Sequence, residues 1–238
     1  MLVEPKESGN IGSTARAIKN MGFRNLSLVS PPAVIGEEAR WLACNALDVL
    51  ESAERFNAVA DAVQDKTLVV GTSRRVGKRR GMIVSVEEGA ERVLDVARDN
   101  KVAVLFGREA KGLLNEEVEE CGLLITIPSS KIQPSLNLAQ AVLITAYELS
   151  KAEFKGIVRK PYRRQEEKLL IDHKTLTALY ERMSEVLSLL EYIPRGDRDL
   201  AKKIMSNLKH FIGRAGITEW ELNMLHGICT QIEKKIPK

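Results

Sequence analysis

The chain has 238 residues, long enough to bury a sizeable core without disulfides or a metal staple, and its 44% hydrophobic and 29% charged residues are those of an ordinary globular protein. Three widely spaced cysteines (Cys44, Cys121, Cys229) form neither a disulfide framework nor a Cys-x-x-Cys site, and they fit a reducing cytoplasm. No apolar stretch approaches a bilayer span, and the opening Met1-Leu2-Val3-Glu4-Pro5 lacks the basic and apolar regions of a secretory signal. The net charge of +4 averages unlike parts: residues 1–150 carry 18 basic and 20 acidic side chains, residues 151–238 carry 18 and 12.

In chain order, Leu2-Val3 reads as the end of a strand, cut short by the start at Met1, which predicts a weakened sheet edge. Asn10 to Met21 reads as a helix stopped by Gly22, and Leu26 to Val29 as a buried strand closed by Ser30-Pro31-Pro32. Glu37 to Leu50 and Val59 to Gln64 read as helices, and Thr67 to Val70 as a strand ending at Gly71. Arg74, Arg75, Lys78, Arg79 and Arg80 then put five cations in seven residues, between glycines at 71, 77 and 81. A solvated loop and a phosphate-gripping loop both fit this pattern. Ser85 with Glu88 predicts a capping box opening a helix that runs to about Arg98. Val102 to Phe106 and Leu123 to Ile127 are apolar strands ending at Gly107 and Pro128, and Leu138 to Leu149 is a long apolar helix.

Strands alternating with helices predict an α/β fold, a parallel sheet covered by helices on both faces. Ligands bind such sheets at the carboxyl ends of the strands, so Gly71-Thr72-Ser73, Gly107-Arg108-Glu109 and Pro128-Ser129-Ser130 are the default site. A break follows at Lys151 to Lys168, rich in cations and holding Gly156 and Pro161. Three helical segments come after it, Ile171–Leu190, Leu200–Ile212 and Glu219–Ile232, the last opened by a Thr218/Glu221 capping box. The expected division is 1–152, a basic linker 153–168, and a small all-helical extension 169–238 that leans on a partner surface for stability.

Neither a dinucleotide fingerprint nor a P-loop is present. The three histidines (His173, His210, His226) all lie in the C-terminal helices without metal-ligand spacing, and no metal site is expected. Residues 1–150 contain no histidine, so proton transfer there falls to other groups.

Three segments carry chemistry together. They are Asn10-Ile11-Gly12-Ser13-Thr14-Ala15-Arg16 at the head of the first helix, Leu105-Phe106-Gly107-Arg108-Glu109-Ala110-Lys111-Gly112-Leu113, and Ile127-Pro128 followed by Ser135-Leu136-Asn137-Leu138-Ala139-Gln140-Ala141-Val142. In order and spacing they resemble the motifs of the SpoU/TrmH branch of the SPOUT RNA methyltransferases, over roughly residues 1–150. Pro134 before the third motif, Gly71-Thr72-Ser73-Arg74 and the tail segment Glu221 to Ile228 are similar to the TrmJ-type subgroup, which methylates a pyrimidine 2′-hydroxyl in the tRNA anticodon loop.

The resemblance implies a trefoil-knotted fold, with Ser129 to Leu138 as the knotted loop, and a homodimer. It implies S-adenosyl-L-methionine as cofactor, S-adenosyl-L-homocysteine as product and RNA as substrate, tRNA before ribosomal RNA. It assigns catalysis to Arg16, Asn10, Glu109, Ser135 and Asn137, with Glu109 orienting Arg16 or another motif residue and Asn137 doubling as a helix cap. It assigns the cofactor to Thr72, Ser73, Arg74, Gly107, Ile127, Ser135, Leu136 and Asn137. Arg75, Lys78, Arg79 and Arg80, with Arg159, Lys160, Arg163 and Arg164, are the expected RNA contacts. A non-catalytic RNA-binding module of the same fold is the alternative, opposed by the intact motif set.

Overall fold

The computed structural model describes residues 1–74, 82–158, 170–192 and 198–236. Its strands are β1 (Leu2–Val3), β2 (Ser27–Val29), β3 (Glu54–Phe56), β4 (Leu68–Thr72), β5 (Ile83–Ser85), β6 (Val102–Leu105) and β7 (Leu123–Thr126). All strand pairings are parallel, in the orders β1-β2-β3 and β5-β7-β4-β6. A bridge between Leu2 and Phe106 joins the two groups. Val3 N donates to Phe106 O at 2.8 Å and Phe106 N donates to Met1 O at 2.9 Å. Across the molecule the strands therefore run β3-β2-β1-β6-β4-β7-β5. The short first strand, expected at a weakened edge, lies instead at the middle, where both its sides are paired.

Alternation along the strands separates the two faces. Leu68, Val70, Leu123 and Ile125 pack with Val86 and Val93 of α5 (Val86–Ala97). Leu2 and Leu28 pack on Ile11, Ala15 and Ile18 of α1 (Ser8–Asn20), Ala39 and Ala43 of α2 (Glu37–Ala43) and Val142 of α7 (Leu138–Val158). The alternate residues Val3, Val69, Ala103, Leu105 and Leu124 meet Val63 of α4 (Val59–Val63) and Val118 of α6 (Asn115–Glu119) on the other face.

Several elements depart from the sequence reading. The single helix expected from Glu37 to Leu50 is broken by a 3-10 turn at Cys44–Ala46, and helix α3 follows at Leu47–Glu51. At the break Cys44 takes φ +48°, and Lys19 Nζ donates to Asn45 O at 2.7 Å and pairs with Asp48 at 2.6 Å. Only half of the Ser85 capping box forms: Glu88 N donates to Ser85 Oγ at 3.2 Å, while the Glu88 carboxylate turns to Arg92. Helix α7 continues through Val158, past the break expected at Lys151 and into the proposed linker, because Leu149 still packs on the core and Lys151 pairs with Glu148 on the preceding turn. The strands β3 and β5 and the helix α6 were not expected.

The C-terminal helices are α8 (His173–Leu189), α9 (Arg198–Ala215) and α10 (Glu219–Lys235). Asp172 caps α8 and the Thr218/Glu221 box caps α10. Leu176, Leu179, Tyr180, Ile212, Ile217 and Leu222 form their own core. Within the described residues this extension leans on the chain's own α/β part. His173 N and Lys174 N donate to the carbonyls of Lys66 and Gln64, at 2.8 and 3.2 Å, and the His173 ring meets Glu120 at 3.0 Å. Gly213 of α9 presses on Gly122, where a Cβ on Gly122 would stand 2.4 Å from Gly213 O.

Candidate active site

The carboxyl ends of β4, β6 and β7 open on one cavity. Of the eight residues assigned to the cofactor, Thr72, Ser73, Arg74, Gly107, Ile127, Ser135 and Leu136 line it, and Asn137 lines the neighbouring groove instead. The segment Pro134–Leu136 takes the part foreseen for Ser129 and Ser130. Phe106, Leu113, Ile125 and Leu138 supply apolar wall, and the hydroxyls of Thr72, Ser73 and Ser135 supply polar partners. This donor set suits an adenosyl group with a charged amino-acid tail: an apolar slot bounded by a few placed polar groups.

The loop after β6 is held tightly. Arg108 N and Gly112 N donate to each other's carbonyls at 3.2 and 2.8 Å. A Cβ on Gly107 would lie 2.1 Å from the backbone of Gly112 and Leu113, so only glycine fits there. The Arg108 side chain, 9% exposed, clamps the loop. Its Nε donates to Glu4 at 2.8 Å, and its two Nη atoms donate to Glu117 at 2.9 and 2.8 Å. Glu117 also accepts from Leu114 N at 2.8 Å. Thr72 Oγ1 donates to Leu105 O at 2.9 Å and Ser73 N donates to Ile125 O at 2.9 Å, fixing the loop after β4 against both neighbouring strands.

Beside the cavity runs a chain of three motif side chains. Asn137 Nδ2 donates to Asn10 Oδ1 at 2.8 Å, and Asn10 Nδ2 donates to Glu109 Oε1 at 3.1 Å. Glu109 also accepts from the backbone of Lys6 and Glu7, at 3.2 to 3.3 Å, and so fixes the entry to α1. Burial by itself would raise the Glu109 carboxyl. Its own backbone N–H, the Asn10 amide and the Glu7 and Lys6 N–H groups outweigh that and hold it below the usual range. Asn137 Oδ1 accepts from Ala139 N at 2.9 Å and Gln140 N at 3.3 Å, capping α7. Glu109 therefore orients Asn10, and Arg16 lies elsewhere.

Asn10, Arg16 and Asn137 share an open groove with Ser13, Asn20, Gln140 and Leu143. Arg16 is exposed, and its Nη1 donates to Cys44 Sγ at 3.4 Å. Cys44 sits at φ +48°, a conformation rare for residues with a side chain. Ser135 faces the cavity, whereas Asn137 faces the groove. Sequence reasoning missed the Arg108 clamp, whose partners are distant in the chain. It also missed Ser13 and Asn20, although polar residues at 10, 13 and 20 on an otherwise buried helix mark one face. Arg75, Lys78, Arg79, Arg80, Arg159, Lys160, Arg163 and Arg164 lie outside the described residues.

Two family models match the chain: the SpoU rRNA methylase family over residues 1–147 and the C-terminal domain of the tRNA methyltransferase TrmJ over residues 174–238. The tRNA (cytidine/uridine-2′-O-)-methyltransferase TrmJ of Sodalis glossinidius is 36% identical over 98% of this chain and 90% of its own. The crystal structure of TrmJ from Z. mobilis superposes with a TM-score of 0.78 at 28% identity, covering 98% of this chain and 97% of that one. An AdoMet-bound rRNA methyltransferase from Sinorhizobium meliloti matches with a TM-score of 0.50 at 25% identity, over 63% of this chain and 54% of its own.

Proposed function

The chain belongs to the SpoU rRNA methylase family, and from that premise we propose that it is an S-adenosylmethionine-dependent 2′-O-ribose methyltransferase acting on a pyrimidine of the tRNA anticodon loop. The hydrogen-bonded chain Asn137–Asn10–Glu109 carries this reading, because it joins a cavity fit for the cofactor to a groove holding an exposed arginine. The tail's match to the TrmJ C-terminal domain favours tRNA over ribosomal RNA.

The bound cofactor supplies an electrophilic methyl group on a sulfonium, so no metal is needed for the transfer. Thr72, Ser73, Arg74, Gly107, Ile127, Ser135 and Leu136 hold it. Asn10 has one N–H and one oxygen lone pair left after its two hydrogen bonds, and these orient the ribose hydroxyl. A guanidinium makes a poor general base, so Arg16 is given another part. Its guanidinium grips the adjacent RNA phosphate and stabilises negative charge growing on the 2′-oxygen. The hydroxyl proton passes to that phosphate or to solvent.

The knot belongs to the same reading. It is supported by Pro134–Leu136 returning to meet the loops after β4 and β6 at one cavity. A homodimer is supported by exposed apolar residues on α2 and α7, Trp41 and Leu42 with Leu143, Tyr147 and Phe154, of which Leu42 and Leu143 line the groove. A cytoplasmic site follows from a tRNA substrate and three free cysteines; no described helix is long and apolar enough to cross a membrane.

The test is mass spectrometry of ribose methylation in tRNA and ribosomal RNA incubated with the protein and the cofactor. One methylated anticodon-loop pyrimidine is expected, and methylation of ribosomal RNA alone overturns the substrate. Arg16→Lys keeps charge but loses the fork; turnover near wild type would overturn the bidentate role.

A further inference from the structure

Helix α9 presents an exposed face that the proposed chemistry does not use. Phe211 is 64% exposed, although it extends from a helix whose opposite side is docked by Gly213 on Gly122. The Arg214 guanidinium lies 5.9 Å from the Phe211 ring centre, one turn further on. Lys203 and Asn207, two turns and one turn before Phe211, are exposed on the same side. Over its length α9 carries five cations and one acid, Asp199.

The face continues onto the α/β part. Arg214 Nη1 reaches Met82 Sδ at 3.9 Å, and Arg92 Nη1 reaches the same sulfur at 3.4 Å. Two guanidiniums thus converge on an exposed thioether. Arg92 is paired with Glu88, whereas among the described residues Arg214 meets no carboxylate. An exposed aromatic ring beside a cation with no carboxylate partner is the makeup of surfaces that take unpaired nucleotides. The ring stacks any base, and the cation meets the phosphate. An apolar partner would leave Arg214 desolvated without a counter-charge, which costs more than stacking returns.

We propose that Phe211, Arg214 and Met82 form a second RNA-contact site, where an unpaired nucleotide of the substrate stacks its base on Phe211 and places its phosphate against Arg214. This rests on the RNA substrate of the previous section. The site lies away from the methyl-transfer groove, so it governs affinity and not the chemical step.

The experiment measures binding of the full chain to unmodified tRNA by fluorescence anisotropy across a salt series. Phe211→Ala, Phe211→Trp and Arg214→Gln are compared with wild type, and S-adenosylhomocysteine calorimetry and sedimentation serve for each. Phe211→Ala is expected to weaken binding about tenfold with an unchanged salt slope, and Phe211→Trp to restore it. Arg214→Gln is expected to flatten the slope by about one counterion. Cofactor-product affinity and kcat at saturating RNA stay at wild-type values. Wild-type RNA affinity in Phe211→Ala overturns the site alone. Loss of self-association in Phe211→Ala also overturns it, since the face is then a contact between copies. Failure of the wild-type chain to bind tRNA overturns the RNA reading itself, and this site with it.

Discussion

Asn137 and Asn10 meet amide to amide at 2.8 Å, although they come from the heads of the last and the first helices of the α/β part. The same Asn137 side chain caps its own helix through its other atom. Two demands, helix stability and site geometry, thus fall on opposite ends of one amide.

Substitution separates these demands. Asn137→Asp keeps an acceptor for Ala139 N, and aspartate caps as well as asparagine, so the melting temperature should hold. It loses the donor to Asn10, so turnover should fall roughly ten- to a hundredfold. Asn137→Ala should lose the same activity and also about 1 kcal/mol of stability. Calorimetric melting beside single-turnover methylation distinguishes the two; equal stability loss in both variants would contradict the division.

Glu109 gives the fold a pH dependence of known sign. Its carboxyl is held below the ordinary 4.5 by the hydrogen bonds it accepts. A group depressed in the folded state stabilises fully above its unfolded value, and that contribution disappears as the pH falls through the folded value. Urea unfolding of wild type should therefore weaken progressively below about pH 4.5. Glu109→Gln should be less stable at pH 7 and show a flatter dependence over that acid range. Identical profiles would show that the carboxylate's charge does not matter.

Arg108 is nearly buried against Glu117, itself 12% exposed. Arg108→Ala leaves that carboxylate with no cation, and a loss of about 3 kcal/mol is expected. Glu4, the other partner, is 46% exposed, so Glu4→Gln should cost about 1 kcal/mol or less. Denaturant midpoints at constant m-value measure both.

Gly107→Ala puts a methyl group into the backbone of Gly112 and Leu113. The loop must open to admit it, and the cavity wall moves with the loop. S-adenosylhomocysteine should bind about tenfold or more weakly by calorimetry, while the far-UV circular dichroism stays native.

The sequence made legible what is written in local pattern. β4, β6 and β7 are apolar runs ending in glycine or polar loops, and the cavity opens where they end. β3 is the charged tripeptide Glu54-Arg55-Phe56 at a sheet edge, and β5 is three residues at the other edge; neither is long enough to show a period. Glu109 was open to Arg16 or another motif residue until helix geometry decided. Arg16 lies six residues beyond Asn10, about 9 Å further along the axis, and only Asn10 comes within reach. The Arg108 pairs and the Gly122–Gly213 contact are long-range meetings that no local pattern announces.

The seam where Leu2 meets Phe106 constrains how the molecule is made. The earliest of these strands in the chain fills an inner place in the sheet, yet one of its two neighbours follows about a hundred residues later. Until that neighbour arrives, β1 can rest only on β2, with its other side bare. Closure of the sheet is thus a late and non-local event, and slow refolding with a pairing-prone early state is the expected kinetic signature.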